Sequence, residues 1–425
     1  MRGAFRLILL LNTTSVFCAE LSGELESTLL AFGVADTIYW QQAARARTYL
    51  RQDLGGGARV ELGLDATTYS GKTSLRLLDL LPESYETAID SLATLLFGAD
   101  PRARADPPFL WAAADAAGQL PSFNSIRLDR ALIVWPGPGF TAEVGRQPLT
   151  WGAGYAWNPT NVFDRKNLLE PTRMPRGLDA IRVRVGRRVR FEGVLRVDDR
   201  PEESGAALRA STSAGGWDLS AIAARQRWRR MDWERWMEPE KDDPPSVVEW
   251  EAERPYLVLF NEEVERITLG GDLRGEIRGV GCWVEAAWNR LDLGRDFWDL
   301  TAGVDHLFDW QTYLLAEYHL EGEGRRDPND YSLNDWMKTL TGERAGMGRH
   351  YGFVALNHPI GELSELSLLA FANLSDRSTW LEAQLEHSLA DDLVLAAAAD
   401  LPFGGEEDEL GRFGPGGFLR FEAFF

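Results

Sequence analysis

Residues 58–69 read ARVELGLDATTY, and apolar and polar side chains alternate along this stretch with a period of two. The same alternation returns in residues 188–198 and 379–389. Successive side chains of a β-strand point to opposite faces, so each stretch predicts an amphipathic strand. A strand of a soluble protein usually has about 5–6 residues, whereas one that crosses a membrane needs about 9–11. The length of these segments therefore favours a membrane-spanning β-barrel, in which one face meets lipid and the other meets the lumen.

The connections between such segments alternate in length along the chain. Tight turns are expected near residues 54–57, 136–139, 186–188, 214–216, 309–310, 359–361 and 390–392. Long polar loops are expected near residues 70–122, 148–177, 230–263 and 322–345. Short periplasmic turns and long outer loops are typical of outer-membrane barrels. The expected fold class is all-β, a single transmembrane antiparallel β-barrel of about 16–18 strands with long outer loops and a short helix in one loop.

That helix is predicted inside the longest loop, over residues 85–97. Ser84 is a suitable N-cap, and Gly98 suits the C-terminal end. A helix in this position either folds into the lumen as a constriction or plug, or rests on the rim as an outer cap. The sequence leaves both alternatives open.

Residues 1–19 have the character of a secretory signal peptide. Arg2 and Arg6 precede the apolar run 7–11, and small residues follow it up to Ala19. We therefore expect residues 1–19 to be cleaved and residues 20–425 to form one barrel domain. The expected location is the outer membrane of a Gram-negative-type bacterium.

The composition argues against several classes of protein. The formal net charge of −20 disfavours nucleic acid as a partner. The five histidines are not in HxH or HExxH spacing, so a zinc enzyme is not expected. The adjacent pairs Asp305-His306 and His387-Ser388 point to opposite faces of a strand and cannot act together. We expect no enzymatic activity, no metal and no cofactor.

The most distinctive stretch is residues 145–164, GRQPLTWGAGYAWNPTNVFD. Pro148 cannot donate to a β-ladder, and Gly152 and Gly154 permit unusual backbone angles, so the chain is expected to leave the barrel wall here. The loop would then hang polar groups into the pore; the alternative is that its tryptophans only pack it against the wall. The candidate pore or constriction residues are Arg146, Gln147, Trp151, Trp157, Asn158, Asn161, Asp164, Arg165, Lys166, Arg173 and Arg176.

Together with residues 128–130, LDR, and residues 175–180, PRGLDA, this stretch resembles a group of poorly characterised porin-like barrels of Gram-negative bacteria. Those proteins share a GRQ, WG, NP order in one strand and loop. The resemblance covers roughly residues 120–185. It implies an outer-membrane, channel-like protein, and it brings no catalytic residue with it.

The phase of the alternation predicts which charged side chains face the lumen. The candidate lumen-wall residues are Arg45, Arg47, Arg59, Glu61, Glu143, Arg182, Arg184, Arg190, Glu192, Arg196, Glu317 and Glu382. Opposite charges in one lumen of low dielectric constant would pair across strands. They would create a transverse field in an open pore, or a salt-bridged interior in a closed one.

The last predicted strand resembles the recognition signal that the bacterial barrel-assembly machinery reads, because it alternates and ends on an aromatic residue. The residues that carry this signal are Leu419, Phe421, Ala423 and Phe425. The expected partners are therefore outer-membrane lipid, the barrel-assembly machinery and a small hydrophilic solute. A homo-oligomer or a periplasmic partner is a further possibility.

A barrel of this strand count encloses a lumen wide enough for water. The function that we expect is passive diffusion of small hydrophilic solutes through a porin-like channel. The alternative is a non-conducting structural or assembly barrel that sheathes a partner protein or export machinery.

Overall fold

The computed structural model describes residues 19–34, 37–71, 81–82, 125–163, 177–198, 204–231, 261–340 and 344–425. These residues form 18 strands in one sheet. The strands are β1 (Ala19–Val34), β2 (Thr37–Gly55), β3 (Ala58–Gly71), β4 (Ser125–Gly137), β5 (Phe140–Pro148), β6 (Gly177–Val185), β7 (Val189–Arg196), β8 (Gly205–Ala214), β9 (Trp217–Met231), β10 (Asn261–Ile277), β11 (Val280–Leu291), β12 (Phe297–Leu307), β13 (Tyr313–Leu320), β14 (His350–Pro359), β15 (Ser364–Asn373), β16 (Thr379–Ala390), β17 (Leu393–Phe403) and β18 (Phe413–Phe424).

Each strand pairs antiparallel with its neighbours in the chain, and the sheet closes on itself. β1 pairs with β2 on one side and with β18 on the other, with Leu25 opposite both Ala46 and Ala423. Closure removes the unpaired edges that an open sheet would expose. The expected all-β, antiparallel barrel is confirmed, and its 18 strands fall at the upper end of the expected range.

The predicted helix over residues 85–97 lies outside the described residues. The α-helix that the structure describes is α1 (Leu333–Leu340), which follows a short 3-10 turn, Pro328–Asp330, in the connection between β13 and β14. None of the described helices is long and apolar enough to span a membrane.

The long connections between strands all belong to one end of the barrel. All of the tight turns anticipated from the sequence join consecutive strands at one end, which we call the short-turn end. A further turn there, between β10 and β11, has positive φ at both Arg278 and Gly279, as a two-residue hairpin requires. The other end, the long-loop end, carries the long connections after β3, β5, β9 and β13.

The two faces of the wall differ in polarity. In β3, Leu62 and Leu64 point outward and are exposed, whereas Asp65 and Thr67 point inward and are buried. Exposed apolar side chains on the outside and buried polar ones on the inside reverse the pattern of a soluble protein. The surface is therefore suited to contact with hydrocarbon.

The interior also contains apolar side chains, and two of their clusters concern the segment after β5. One joins Leu149, Trp151 and Phe163 to inward residues of β6–β9, and the other surrounds Trp157. Both clusters include residues of the segment after β5, so this segment lies inside the barrel.

Candidate functional site: the lumen and its loop

Residues 149–163, the lumen loop, leave the wall where β5 ends at Pro148. Trp151 packs edge-on against Phe163, with 4.9 Å between ring centroids. Small or apolar inward residues of β6–β9, among them Ala180 and Val194, complete this contact. The near end of the loop is therefore seated on the wall next to the strand from which it leaves.

The far end of the lumen loop reaches other strands of the barrel. Trp157 stacks on His319 of β13, with centroids 5.0 Å apart and planes 8° from parallel. Its ring also contacts those of Tyr351, Phe353 and Phe371 on β14 and β15. The loop thus crosses the lumen from β6–β9 to β13–β15.

Glu285, an inward residue of β11 that is fully buried, holds the middle of the loop. It accepts hydrogen bonds from the backbone N–H groups of Ala153 (2.8 Å), Gly154 (3.1 Å) and Thr160 (2.6 Å). The Thr160 hydroxyl and the Asn158 side-chain amide also donate to it, at 2.7 and 3.3 Å. One carboxylate therefore satisfies several loop donors that would otherwise be buried without partners.

Glu317 of β13 holds the next residues in the same way. It accepts from the backbone N–H groups of Tyr155 (2.7 Å), Ala156 (3.0 Å) and Trp157 (3.0 Å). The indole N–H of Trp283 donates to it at 2.8 Å. Hydrogen bonds to a charged acceptor are among the stronger ones in proteins, so this pair of carboxylates fastens the loop to the wall.

The glycines of the loop are required by this close approach. Gly152 has φ of +103°, and a Cβ there would lie 2.6 Å from the carboxylate oxygens of Glu285. At Gly154 a Cβ would overlap the carbonyl oxygen of Trp157. The WGAG part of the motif therefore encodes the turn that brings backbone amides onto the wall carboxylates.

Arginines concentrate on the inward face of one part of the wall, which we call the basic wall. Its members are Arg45, Arg47, Arg51, Arg59, Arg127, Arg130, Arg182, Arg184, Arg190, Arg196 and Arg209. They lie on β2, β3, β4, β6, β7 and β8.

Two of the acids among these arginines are shared between guanidinium groups. Asp65 lies 2.5 Å from Arg45 and 3.8 Å from Arg127. Glu143 contacts both Arg182, at 3.5 Å, and Arg184. Since one carboxylate serves two or more guanidinium groups, this wall keeps an excess of positive charge.

Carboxylates dominate the inward face elsewhere, on the acidic wall. Its members are Glu24, Glu26, Glu285, Asp299, Asp305, Glu317, Glu365, Glu382, Glu386, Asp400 and Glu422. The contacts of the lumen loop lie on β6–β9, β11 and β13–β15. The arginines of β2–β4 and the carboxylates of β16–β18 and β1 therefore face the remaining part of the lumen.

The structure distributes the sequence-predicted loop residues over different environments. Gln147 is buried and donates to the carbonyl of Ala180 at 3.1 Å. Asn158 and Asn161 lie in the lumen loop with Trp151 and Trp157. The remaining loop candidates lie outside the described residues: Asp164, Arg165, Lys166, Arg173 and Arg176.

Arg146 requires a correction, because it does not belong to the lumen. β5 continues to Pro148, and Arg146 shares the outward phase of Val144. It pairs with Asp179 of β6 on the outside of the wall, with 2.6 Å between Arg146 Nη2 and Asp179 Oδ2. The GRQ motif thus places its arginine outward and its glutamine inward, as strand geometry demands.

The predicted lumen-wall residues lie on the inward phase of their strands, and Glu317 proves to hold the loop. Glu285 was missed by the sequence reading. The sequence feature that could have identified Glu285 is a single acidic residue at an inward position of β11, between the apolar inward residues Trp283 and Ala287.

At the long-loop end, a polar cluster joins three connections of the barrel. Glu409 accepts hydrogen bonds from the hydroxyl of Tyr351 (2.6 Å) and the amide of Asn373 (2.7 Å). Asp376 accepts from the hydroxyl of Tyr331 and the backbone N–H of Glu409, both at 3.0 Å. Burial, assisted by the nearby carboxylate of Asp376, raises the pKa of Glu409 to about 7.

No protein-family model matches the sequence, and no curated protein is significantly similar to it. Among solved structures, OccK5 (OpdH) of Pseudomonas aeruginosa superposes with a TM-score of 0.52 at 7% identity, over 96% of this chain and 98% of that one. OmpT, an outer membrane protein of Vibrio cholerae in its trimer form, gives 0.45 at 10% identity, over 97% and 100% of the two chains. OmpF of Salmonella typhi in complex with daunomycin gives 0.42 at 9% identity, over 96% and 97%. The likeness to OccK5 shows a shared barrel fold, and at such identity it shows the fold alone.

Proposed function

We propose that this protein is an outer-membrane channel through which small hydrophilic solutes diffuse passively. The observation that carries the proposal is the lumen loop, which is fastened across the inside of the barrel by Glu285 and Glu317. An inward loop narrows a barrel without closing its wall, and a narrowed, charged lumen is a means of selecting solutes.

The charges along the lumen support a second part of the proposal, which is that an electric field across the lumen selects the solutes. Solutes would pass along the arginines of β2–β4 and the carboxylates of β16–β18 and β1, which occupy neighbouring parts of the wall where the loop makes no contact. Opposed charges in a confined space produce a transverse field. Such a field orders dipolar or charged solutes and disfavours apolar ones.

The test is single-channel conductance of the refolded barrel in a planar bilayer under a KCl gradient. We expect steady conductance whose ion preference changes in opposite directions when the two sides are neutralised. Arg127→Gln with Arg130→Gln should raise the cation-to-anion permeability ratio roughly twofold, and Glu382→Gln with Glu386→Gln should lower it to a similar degree. In the first variant Asp65 and Glu61 keep their other partners, Arg45 and Arg59.

The matched control is Arg187→Gln with Arg188→Gln, which removes the same charge from the exposed turn between β6 and β7. Its permeability ratio should equal that of the wild type. A folded barrel that never conducts would contradict the proposal and favour the sleeve around a partner protein. The lumen loop argues against that sleeve, because residues 149–163 occupy space that a partner would need.

A further inference from the structure

The outward face of β6–β10 contains a groove of about 610 Å³. Small outward residues, Gly193, Ala206 and Ala223, form its floor. Larger apolar side chains border it, including Ile181, Leu208 and Ile267. The groove is apolar and spans five neighbouring strands, and it lies on the face of the wall that meets hydrocarbon.

Arginines stand at the end of this groove nearer the long loops. The strand register aligns Ala206, Arg225, Ile267 and Arg290 in one row across β8–β11. Arg225 and Arg290 thus flank Ile267 at two strand spacings, about 10 Å apart. Both are exposed, and 68% of the Arg225 side-chain surface is accessible.

The acids in this neighbourhood do not balance the positive charge. Glu265 lies 2.5 Å from Arg225 and stands opposite Arg227 in the register. Three outward guanidinium groups therefore accompany two outward carboxylates in these rows, because Asp292 follows β11 beside Glu265 and accepts its backbone N–H at 2.8 Å. The end of an apolar groove consequently carries net positive charge.

An outward arginine costs about 2–4 kcal/mol at the centre of a bilayer and little near its surface. Near the long-loop end these arginines lie at the level of lipid headgroups, where a phosphate suits the planar fork of a guanidinium. A second copy of the chain that docked here through a twofold axis would bring two positively charged ends together. The charge therefore favours an anionic lipid over a second copy.

We propose that this groove binds a membrane lipid with a phosphorylated headgroup. One acyl chain lies along Gly193, Ala206 and Ala223, and the phosphate lies between Arg225 and Arg290. The site is on the outside of the wall and goes beyond the proposed channel function, although it depends on the barrel lying in a membrane.

The experiment is native mass spectrometry of the full barrel, refolded in a neutral detergent and titrated with lipid A that carries two phosphates. Dephosphorylated lipid A is the matched ligand. Arg225→Gln with Arg290→Gln should weaken binding of the phosphorylated lipid about tenfold and leave the dephosphorylated one unchanged. Ala223→Phe, which fills the groove, should weaken binding of both.

Arg187→Gln with Arg188→Gln, at the opposite end of the same wall, is the charge-matched control and should bind both lipids as the wild type does. Heat-modifiable migration on a denaturing gel verifies that each variant is folded. Equal retention of the two lipids by the wild type, or unchanged affinity in the Arg225 and Arg290 variant, would overturn the proposal. So would competition by inorganic phosphate, which would indicate a simple anion site, or a lipid-independent oligomer that Ala223→Phe dissociates.

Because lipid binding is read without current, its failure leaves the channel proposal standing. A barrel that binds the lipid and does not conduct would contradict the channel proposal and leave the lipid site standing.

Discussion

At the residue scale, the decisive interaction is a carboxylate that accepts backbone amides. Glu285 and Glu317 each accept hydrogen bonds from several backbone N–H groups of the lumen loop. The side chain that caps a helix satisfies the N–H groups at the helix end in the same way. A buried donor that loses its partner costs about 1–3 kcal/mol. The position of the loop inside the barrel therefore depends more on these two side chains than on the conformation of the loop itself.

Replacement of Glu285 by alanine should release the lumen loop. We expect hydrogen exchange of residues 153–160 to become at least about tenfold faster, because several buried donors lose their acceptor at once. Thr160→Val removes only the hydroxyl bond and should have a smaller effect in the same direction. The exchange rates of these residues are measured by mass spectrometry on the refolded barrel.

Glu386→Ala is the control, since Glu386 is an inward carboxylate near the short-turn end of β16. It removes the same charge and should leave exchange in the loop unchanged. If Glu285→Ala also left it unchanged, the carboxylate would not be what holds the loop.

At the scale of elements, the connections at the long-loop end are joined through Glu409. The pKa of this carboxyl lies near 7 in the folded protein and near 4.5 when exposed, because burial and Asp376 disfavour its charge. The charged form is therefore the unfavourable one in the folded state. The cluster should be most stable below pH 4.5 and lose about 3 kcal/mol as the pH rises through 7.

Hydrogen exchange of residues 405–412, corrected for the intrinsic pH dependence, should accordingly be faster at pH 9 than at pH 5. Glu409→Gln should abolish the difference, because the amide stays neutral throughout. Glu406→Gln, on an exposed side chain of the same loop, should retain it. A pH dependence that survives Glu409→Gln would assign the effect to another group.

At the scale of the whole molecule, the barrel closes at the seam between β1 and β18. Gly23 and Phe425 exchange backbone hydrogen bonds of 2.9 and 3.1 Å there. A Cβ at Gly23 would lie 2.5 Å from Cζ of Phe425 and overlap the carbonyl of Arg47. The seam thus has no space for a side chain at this position.

Gly23→Val should therefore destabilise the closed barrel by about 1–3 kcal/mol through overpacking. The measurements are the heat-modifiable fraction after refolding into vesicles and the urea midpoint of unfolding. Ser27→Val, on the same outward face of β1, adds an apolar side chain toward lipid and should be neutral or stabilising. Equal values for the two variants would mean that the seam tolerates a side chain at Gly23.

Much of the wall could be read from the sequence because strand alternation is a local property. Arg182 and Arg184 follow from the phase of residues 181–185 without any knowledge of their neighbours. Arg146 was misassigned because it was grouped with the loop residues, whereas it lies in β5 on the outward phase of the strand. Helix α1 was not anticipated, since its eight residues form too short a pattern within a polar loop.

The sequence by itself determined that the chain forms a barrel of strands long enough to cross a membrane. The period of two decides which face of each strand is apolar, and this depends only on residues close together in the chain. Only the tertiary structure decided that Glu285 would meet Ala153, 132 residues away in sequence, and Glu317 would meet Tyr155. Contacts across a lumen depend on the number of strands and on the register that accumulates around the barrel, and no local pattern encodes either.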